Sequence, residues 1–382
     1  MKSKLFDAMF LFLSIAVWFN GVSFQLGRAS LRVEHFLVFS VFFLEFCFPN
    51  SHMKPRKLNM LFLAWLSLGM ITTFIGTIDK YRGLWIQIQY VIGLLILSSR
   101  EFVPLGKKPI VIQARIGILV SIIYLLSYLY TPLAKLLRIG EVKEVFDGYS
   151  LEPNLLGSQA LLLWILLYVG RDLLSKFERL GIFLLPILIV LSLTRAVWLA
   201  FIMVLGLFLI QRIRSLAAYF VLLIICLLPI LFDFLRRRVT STEDVYWNLM
   251  NFINFESGTA QYRKNVYFQA LTEMNDTWFH FLLGHGFASF PELYPLDSSG
   301  VTGAYLSNAF VGILFETGIL GTLLFLLLIG RYVHKSKARI EILFYVLALV
   351  TVSLTTSPLW LVFPWFYLKI LGELPKRIDS KQ

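Results

Sequence analysis

Residues 233–310 are the one long polar stretch of the chain and read DFLRRRVTSTEDVYWNLMNFINFESGTAQYRKNVYFQALTEMNDTWFHFLLGHGFASFPELYPLDSSGVTGAYLSNAF. The stretch begins directly after an apolar run, with Arg236, Arg237 and Arg238 in succession, and ends where the next apolar run begins. Elsewhere, long apolar runs alternate with shorter connections. We therefore interpret 233–309 as one large loop, with amphipathic helices, that lies between membrane-spanning helices.

The composition is typical of a polytopic membrane protein. Of 382 residues, 58% are hydrophobic and 15% are charged, and the mean hydropathy is +0.75. Twelve apolar runs are long enough to cross, or nearly cross, about 30 Å of hydrocarbon: 5–24, 35–49, 59–77, 84–99, 116–132, 155–170, 180–194, 196–210, 216–232, 310–330, 340–357 and 360–373. Continuous rather than alternating apolar character favours helices over a barrel. We predict an all-α polytopic membrane protein, one domain over 1–382, with about 12 transmembrane helices and the large loop between the ninth and tenth.

Lysine and arginine residues predict the orientation in the membrane. With the N-terminus inside, 22 of the 35 basic residues fall in cytoplasmic segments. Both termini are therefore expected in the cytoplasm and the loop 233–309 on the outer face. The net charge of +12 is then a topology signal, and nucleic acid is not an expected partner.

The chain shows none of the common signatures of soluble enzymes. It has no P-loop, no G-x-S-x-G elbow, no H-E-x-x-H and no Asp-x-Asp pair for a divalent metal. Cys47 and Cys226 lie in apolar runs without metal-ligand spacing. We expect neither a metal nor a cofactor.

Two signals inside the large loop suggest a site. An amphipathic helix is predicted over 261–274, with Tyr262, Val266, Ala270 and Met274 on one side. Arg263 lies in its first turn, where an arginine is either a ligand or an ordinary solvated residue. The tripeptide Gly284-His285-Gly286 predicts a turn. His285 could act as a base, although a lone histidine beside glycines is more often a surface residue.

Basic and acidic residues at the predicted outer face are the other candidates. Arg195 stands between two apolar runs, and like Arg236 to Arg238 it lies on the side that the topology rule disfavours. Such arginines are interfacial anchors or ligands of phosphate, which their planar fork grips in a bidentate manner. Glu316 lies within the tenth apolar run, where a carboxylate is either functional or the partner of an outer arginine.

The connection before the sixth run holds a further pair. Asn154 could cap the following helix. Glu152 could be a base on the acceptor side or a charge that favours the helix N-terminus.

Taken together, these residues resemble the O-antigen polymerase and ligase family of bacterial envelope enzymes over about 146–330. The pieces, in order, are Gly148 with Glu152-Pro153-Asn154, Ser192-Leu193-Thr194-Arg195 with Trp198, Arg263, Gly284-His285-Gly286-Phe287, and Ser307-Asn308 followed by Glu316, Gly318 and Gly321. Each piece is weak alone, and their order around one large outer loop carries the resemblance.

The resemblance implies a metal-independent glycosyltransferase of the bacterial inner (plasma) membrane. Its substrates are glycans linked to undecaprenyl pyrophosphate, as both donor and acceptor, and a flippase and a chain-length regulator are implied partners. Arg195 and Arg263 match the family's pyrophosphate-binding arginines. We predict catalytic roles for Arg195, Arg263, Glu152 and His285, with Asp297 a further acid-base candidate. Predicted substrate-binding residues are Arg236, Arg237, Arg238, Asn154, Asn308 and Glu316.

Four activities remain open at this point. The ligases carry a His-Asn pair where this chain has Ser307-Asn308, which favours a repeat-unit polymerase over an O-antigen ligase acting on lipid A core. A flippase or transporter would be expected to have polar residues at the bilayer midplane and paired repeats. A cell-wall glycan polymerase is the remaining alternative.

Overall fold

Helices dominate the structure, a computed structural model that describes residues 2–19, 23–26, 29–47, 60–77, 79–99, 103–104, 106–129, 153–192, 194–212, 258–290, 308–336, 339–354 and 356–374. The helices are α1 (Lys2–Ala16), α2 (Val33–Cys47), α3 (Met60–Gly76), α4 (Lys80–Ser98), α5 (Lys108–Leu129), α6 (Pro153–Val169), α7 (Leu180–Leu191), α8 (Arg195–Arg212), α9 (Gly258–Met274), α10 (Trp278–Leu283), α11 (Ala309–Lys335), α12 (Arg339–Ser353) and α13 (Val362–Glu373). Short 3₁₀ helices cover Val17–Phe19, Arg171–Leu173 and Pro358–Trp360.

Eleven of the twelve predicted apolar runs coincide with a helix, and the ninth, 216–232, lies outside the described residues. Within the described ranges, Lys108–Leu126 and Ala309–His334 are long and apolar enough to cross a membrane by length and composition. Six shorter apolar helices accompany them. The helical class is thus confirmed, and the number of spans stays a prediction.

The first connection departs from the all-α prediction. The run 5–24 was expected to be one helical span, but the helical part ends at Phe19. Strands β1 (Ser23–Leu26) and β2 (Ala29–Arg32) then form an antiparallel hairpin that pairs Ser23 with Arg32. The reason lies in the local pattern, because both strands alternate polar and apolar residues, the period of a strand rather than of a helix.

Helices α6 and α13 form the centre of the bundle. Every residue from 155 to 167 and from 362 to 371 is buried, as expected for helices that are apolar on all sides. Gln159 and Tyr367 join the two helices through an Nε2-to-Oη hydrogen bond of 3.2 Å. The outer helices expose large apolar side chains instead, including Phe12, Phe43, Ile75, Leu119, Phe183, Leu199, Leu327 and Leu343. An apolar exterior of this extent marks a surface that faces lipid.

Ion pairs lie at one end of the bundle, which we call the predicted inner end because the basic residues assign it to the cytoplasm. Lys108 bonds Asp7, Arg115 pairs with Glu178 at 3.0 Å, and Lys369 pairs with Glu373 at 2.8 Å. Hydrogen bonding from Ser175, assisted by Arg115, lowers the pKa of Glu178 and keeps its carboxylate charged. The basic residues that predict topology therefore also link the helices at this end.

Candidate functional site

The other end of the bundle, the predicted outer end, collects the polar residues that the sequence marked. It consists of the hairpin, the turn between α3 and α4, the segment 284–290, the residues that follow α12, and the starts of α6, α8 and α11. These parts are distant in sequence and are brought together by the packing of their helices.

Segment 284–290 crosses α11 at a break in that helix. The N–H groups of His285 and Gly286 donate to the carbonyls of Phe315 and Glu316, each at 2.9 Å. Those carbonyls are available because Gly318 adopts φ 62, ψ −172 and interrupts the helical hydrogen-bond ladder. Gly318, which belongs to the motif Glu316, Gly318 and Gly321, thus forms the break in α11 that receives this segment.

The same segment is held on its opposite side by α3. The Thr77 hydroxyl donates to the carbonyl of Phe287 at 2.9 Å, and the Phe287 N–H donates to the Thr73 hydroxyl at 3.2 Å. The Phe287 ring then packs against Trp65 and Tyr90, with ring centroids 5.9 Å and 5.7 Å away. The predicted turn is thus a buried strap that joins α3 to α11.

His285 lies inside this strap. Its ring stacks on Phe315 and on His280, at centroid distances of 4.5 Å and 3.9 Å. Only 6% of the residue is exposed, so the expectation of a surface histidine was wrong. Burial, and then the neighbouring His280, lower the pKa of His285, and its imidazole is therefore neutral at pH 7.

Glu316 is half-buried beside the strap. Its Oε1 accepts a hydrogen bond of 3.1 Å from the N–H of Ala288, which adopts φ 63 to make it. This φ is uncommon for alanine and indicates a constrained turn. The charge of Arg82, on the first turn of α4, also acts on Glu316. Sequence reasoning missed Arg82, although a basic residue in a predicted outer turn is the same signal that singled out Arg195.

Two predicted motifs meet at the starts of α6 and α8. The Thr194 hydroxyl donates to Oδ1 of Asn154 at 2.8 Å. Helix α6 begins at Pro153, so Asn154 lies within it, and its amide oxygen bonds Thr194 instead of capping its own helix. Arg195 is the first residue of α8 and follows Thr194 directly, so its backbone lies beside this contact.

The bond between Asn154 and Thr194 predicts energetic coupling between the two motifs. Asn154→Ala and Thr194→Val should together cost less than the sum of the single changes, by about 1 kcal/mol, because a side-chain hydrogen bond contributes about that much. The coupling is measured by equilibrium unfolding of the single and double variants. Ser40→Ala, which alters an exposed hydroxyl bonded only to Phe36 within its own helix, is the control and should be additive with Asn154→Ala. Additivity of the Asn154 and Thr194 changes would contradict the bond.

Asn308 acts as the N-cap of α11. Its Oδ1 accepts from the N–H groups of Phe310 and Val311, at 2.9 Å and 3.2 Å, which is the usual role of asparagine before a helix. Its amide oxygen is thus engaged, and of the amide group only the NH₂ is left to serve the substrate-binding role predicted for this residue.

The helix that carries Arg263 has the predicted amphipathic form. In α9, Ala270 and Met274 are buried against Phe290 and Phe315, with Val266 packed beside them. For Arg195 and Arg263 the structure describes the backbone and not the side chain. Glu152, Asp297, Ser307 and Arg236 to Arg238 lie outside the described residues.

The histidines and acids of the described ranges form no cluster of three or more that could hold a metal ion. The Oε1 of Glu316 already accepts a hydrogen bond from the N–H of Ala288, and His285 is enclosed by aromatic rings. Metal independence remains a prediction.

The structure is a bundle of apolar helices with a lipid-facing exterior, and the strap holds its polar end together. These features are those of an integral membrane protein. The family model for O-antigen ligase matches residues 180–326. The match lies within the region that carries the resemblance to the O-antigen polymerase and ligase family, and it confirms that resemblance. No curated protein matches the chain.

Proposed function

We propose that the protein is a membrane glycosyltransferase that polymerises repeat units of O-antigen, capsule or exopolysaccharide carried on undecaprenyl pyrophosphate. The transfer would occur at the outer face of the bacterial plasma membrane and would need no metal ion. The observation that carries the proposal is the family match over 180–326, which includes both candidate pyrophosphate-binding arginines, Arg195 and Arg263.

Helix packing supports a shared location for these two arginines. Phe208 of α8 packs against Phe344 of α12, with centroids 5.2 Å apart, and the two helices are predicted to run antiparallel. We measure along each helix axis from that contact, at about 1.5 Å per residue. The start of α8 then lies at about the same depth in the bundle as the residues that follow α12. There Tyr267, one turn beyond Arg263 in α9, donates a hydrogen bond of 3.3 Å to the carbonyl of Leu354.

The chemistry follows from this arrangement. Arg195 and Arg263, with Arg236 to Arg238, would neutralise the pyrophosphate as its bond to the anomeric carbon breaks. Preorganised charge of this kind is usually the largest catalytic contribution, and the positive end of α8 adds to it. The acceptor hydroxyl would form the new bond from the opposite side, with inversion.

A base must take the proton of the acceptor hydroxyl. His285 is neutral but enclosed by aromatic rings, which counts against direct contact with a sugar. We therefore favour Glu152, which comes two residues before Asn154 in the sequence; Asn154 is the residue that accepts from Thr194. A general base contributes about 10²–10⁴-fold to the rate. Asp297 is the other candidate.

The second candidate function is the transfer of finished glycan to lipid A core. The description of the matching family, O-antigen ligase, favours it. Ser307-Asn308 counts against it, because the ligases carry a His-Asn pair there.

Deletion of the gene separates the two functions. If the protein is a polymerase, deletion cells should show surface glycan of single repeats on a gel, and the wild-type gene should restore a ladder. Accumulation of long glycan on undecaprenyl pyrophosphate, with none on lipid A core, would instead identify a ligase. An unchanged ladder, with no long glycan on the carrier, would contradict both.

A further inference from the structure

Helix α10, which leads into the strap, exposes an apolar face. Trp278, Phe279 and Leu282 are exposed by 79%, 43% and 39%. Leu282 follows Trp278 by four positions and Phe279 by three, so the three side chains lie on one side of the helix. Among the tryptophans of the described ranges, Trp278 is the only exposed one. A cluster of exposed apolar side chains marks a contact surface.

The contact between α10 and α11 relates this face to the lipid-facing exterior. A methyl group at Gly318 would overlap the carbonyl of Leu282, so α10 lies directly against the break in α11. No residue from 308 to 319 is exposed, whereas Leu320 and Leu323 are. Leu320 lies about 3 Å further along the helix axis than Gly318. Helix α10 therefore lies where the lipid-facing surface of α11 begins.

Helix α3 gives the same level on the other side of the strap. Its exposed apolar side chains, among them Phe74, continue to Ile75. At the next residue, Gly76, the backbone of the strap approaches α3. Tyr81, in the first turn of α4, is 85% exposed. Exposed aromatic residues thus accompany the edge of the lipid-facing surface, and Trp and Tyr are enriched at the boundary between membrane and water.

We infer that the exposed face of α10 binds phospholipid of the outer leaflet, at the boundary between headgroups and acyl chains. A tryptophan ring suits this position, because its apolar body enters the acyl region and its N–H reaches polar headgroups. Glu273 and Asp276, the charged residues that precede α10, are acidic, so the attraction is apolar and needs no anionic lipid. The helix would anchor the end of the large loop, and with it the strap, to the membrane.

The depth of α10 in a bilayer tests this contact and does not depend on the proposed transfer reaction. A nitroxide label at Leu282→Cys, in full-length protein with Cys47→Ser and Cys226→Ser, leaves Trp278 and Phe279 in place. The protein is inserted in phosphatidylcholine nanodiscs, which carry no net charge. Power saturation by electron paramagnetic resonance then measures collisions with oxygen, which concentrates in the membrane, and with a nickel chelate, which remains in water.

Two labelled positions provide the reference values. Leu323→Cys reports the lipid-facing surface of α11, and Asn275→Cys reports the exposed polar turn before α10. The label at Leu282 should resemble the label at Leu323, at a depth of about 5–10 Å below the headgroups. Its collisions with the nickel chelate should be much rarer than those at Asn275.

A second comparison tests the aromatic pair. Trp278→Ser/Phe279→Ser should shift the Leu282 label towards the values at Asn275, because the apolar face is lost. Phe177→Ser removes an exposed phenylalanine outside α10 and should leave the label unchanged. An unchanged label in the double variant as well would overturn the anchoring role of the two rings.

The Leu282 label alone decides whether the face meets lipid, whether or not the double variant folds. Collisions with the nickel chelate as frequent as at Asn275 would show that the face meets water, and would overturn the inference. A label shielded from both reagents would also overturn it. Protein would then cover the face, either segment 233–257 of the same chain or a second copy.

Discussion

Gly76→Ala should prevent the predicted outer end of the bundle from folding. A methyl group at Gly76 would lie 2.0 Å from the carbonyl oxygen of His285 and 2.6 Å from its carbon. Both are backbone atoms of the strap, which is fixed by hydrogen bonds to α11 on one side and α3 on the other. The strap and α3 cannot move apart without breaking those hydrogen bonds.

The size of this effect follows from its parts. Overpacking of a well-packed site costs about 1–3 kcal/mol, and each hydrogen bond of the strap that is lost adds about 1 kcal/mol. Several such terms approach the total stability of a typical protein, about 5–15 kcal/mol. We therefore expect little folded protein, measured as the yield of monodisperse protein in detergent and its melting temperature.

Gly330 provides a matched control in α11. A methyl group there would meet no atom within 4 Å, and alanine is the better helix former by about 1 kcal/mol. Gly330→Ala should therefore keep or raise the melting temperature. If Gly76→Ala and Gly330→Ala have the same melting temperature, the close approach of α3 and the strap is incorrect.

The helices could be predicted because their signal is local. The run 155–170 is continuously apolar, and the structure has α6 over Pro153–Val169. Amphipathic spacing similarly predicted α9, in which Ala270 and Met274 pack as expected. The basic residues that predicted orientation lie at the end where ion pairs form. The two helices depend on residues within a few turns of one another, whereas the ion pairs join residues that are far apart in the sequence.

The strap could not be predicted because its partners are distant. Thr77 and Phe287 are 210 positions apart, and a single sequence contains no sign of their contact. Gly318 is among the residues that carry the family resemblance, yet glycine permits both close helix packing and a left-handed break. In the structure Gly318 forms the left-handed break. The carbonyls of Phe315 and Glu316 are therefore available to accept hydrogen bonds from the strap.

The sequence singled out polar residues near the predicted outer end, but it could not predict their contacts, and their roles in a site stay predictions. Asn154 and Thr194 were singled out in separate motifs, and the structure joins them by a hydrogen bond. The amide oxygen of Asn308 caps α11, and the substrate-binding role expected of this residue stays a prediction. Polar side chains near a helix start can serve the helix or a ligand, and only three-dimensional contacts distinguish the two.

Arg195→Ala and Arg263→Ala should each abolish the glycan ladder at wild-type protein levels. In the proposed reaction the negative charge grows on the departing pyrophosphate, so an arginine there stabilises the transition state more than the bound donor. Loss of one preorganised donor typically lowers the rate constant by about 10²–10³. Arg195→Lys should restore only part of the rate, because an ammonium group lacks the bidentate fork.

The release of undecaprenyl pyrophosphate by purified protein measures this effect directly, with binding of the donor followed in parallel. Arg331→Ala is the control, because Arg331 is exposed near the end of α11 and should leave the rate unchanged. A fall in donor affinity with an unchanged rate constant would mean that the arginines hold the substrate and its transition state equally. Full activity in both alanine variants would exclude them from the site, and the charge would then have to come from Arg236 to Arg238 or from Arg82.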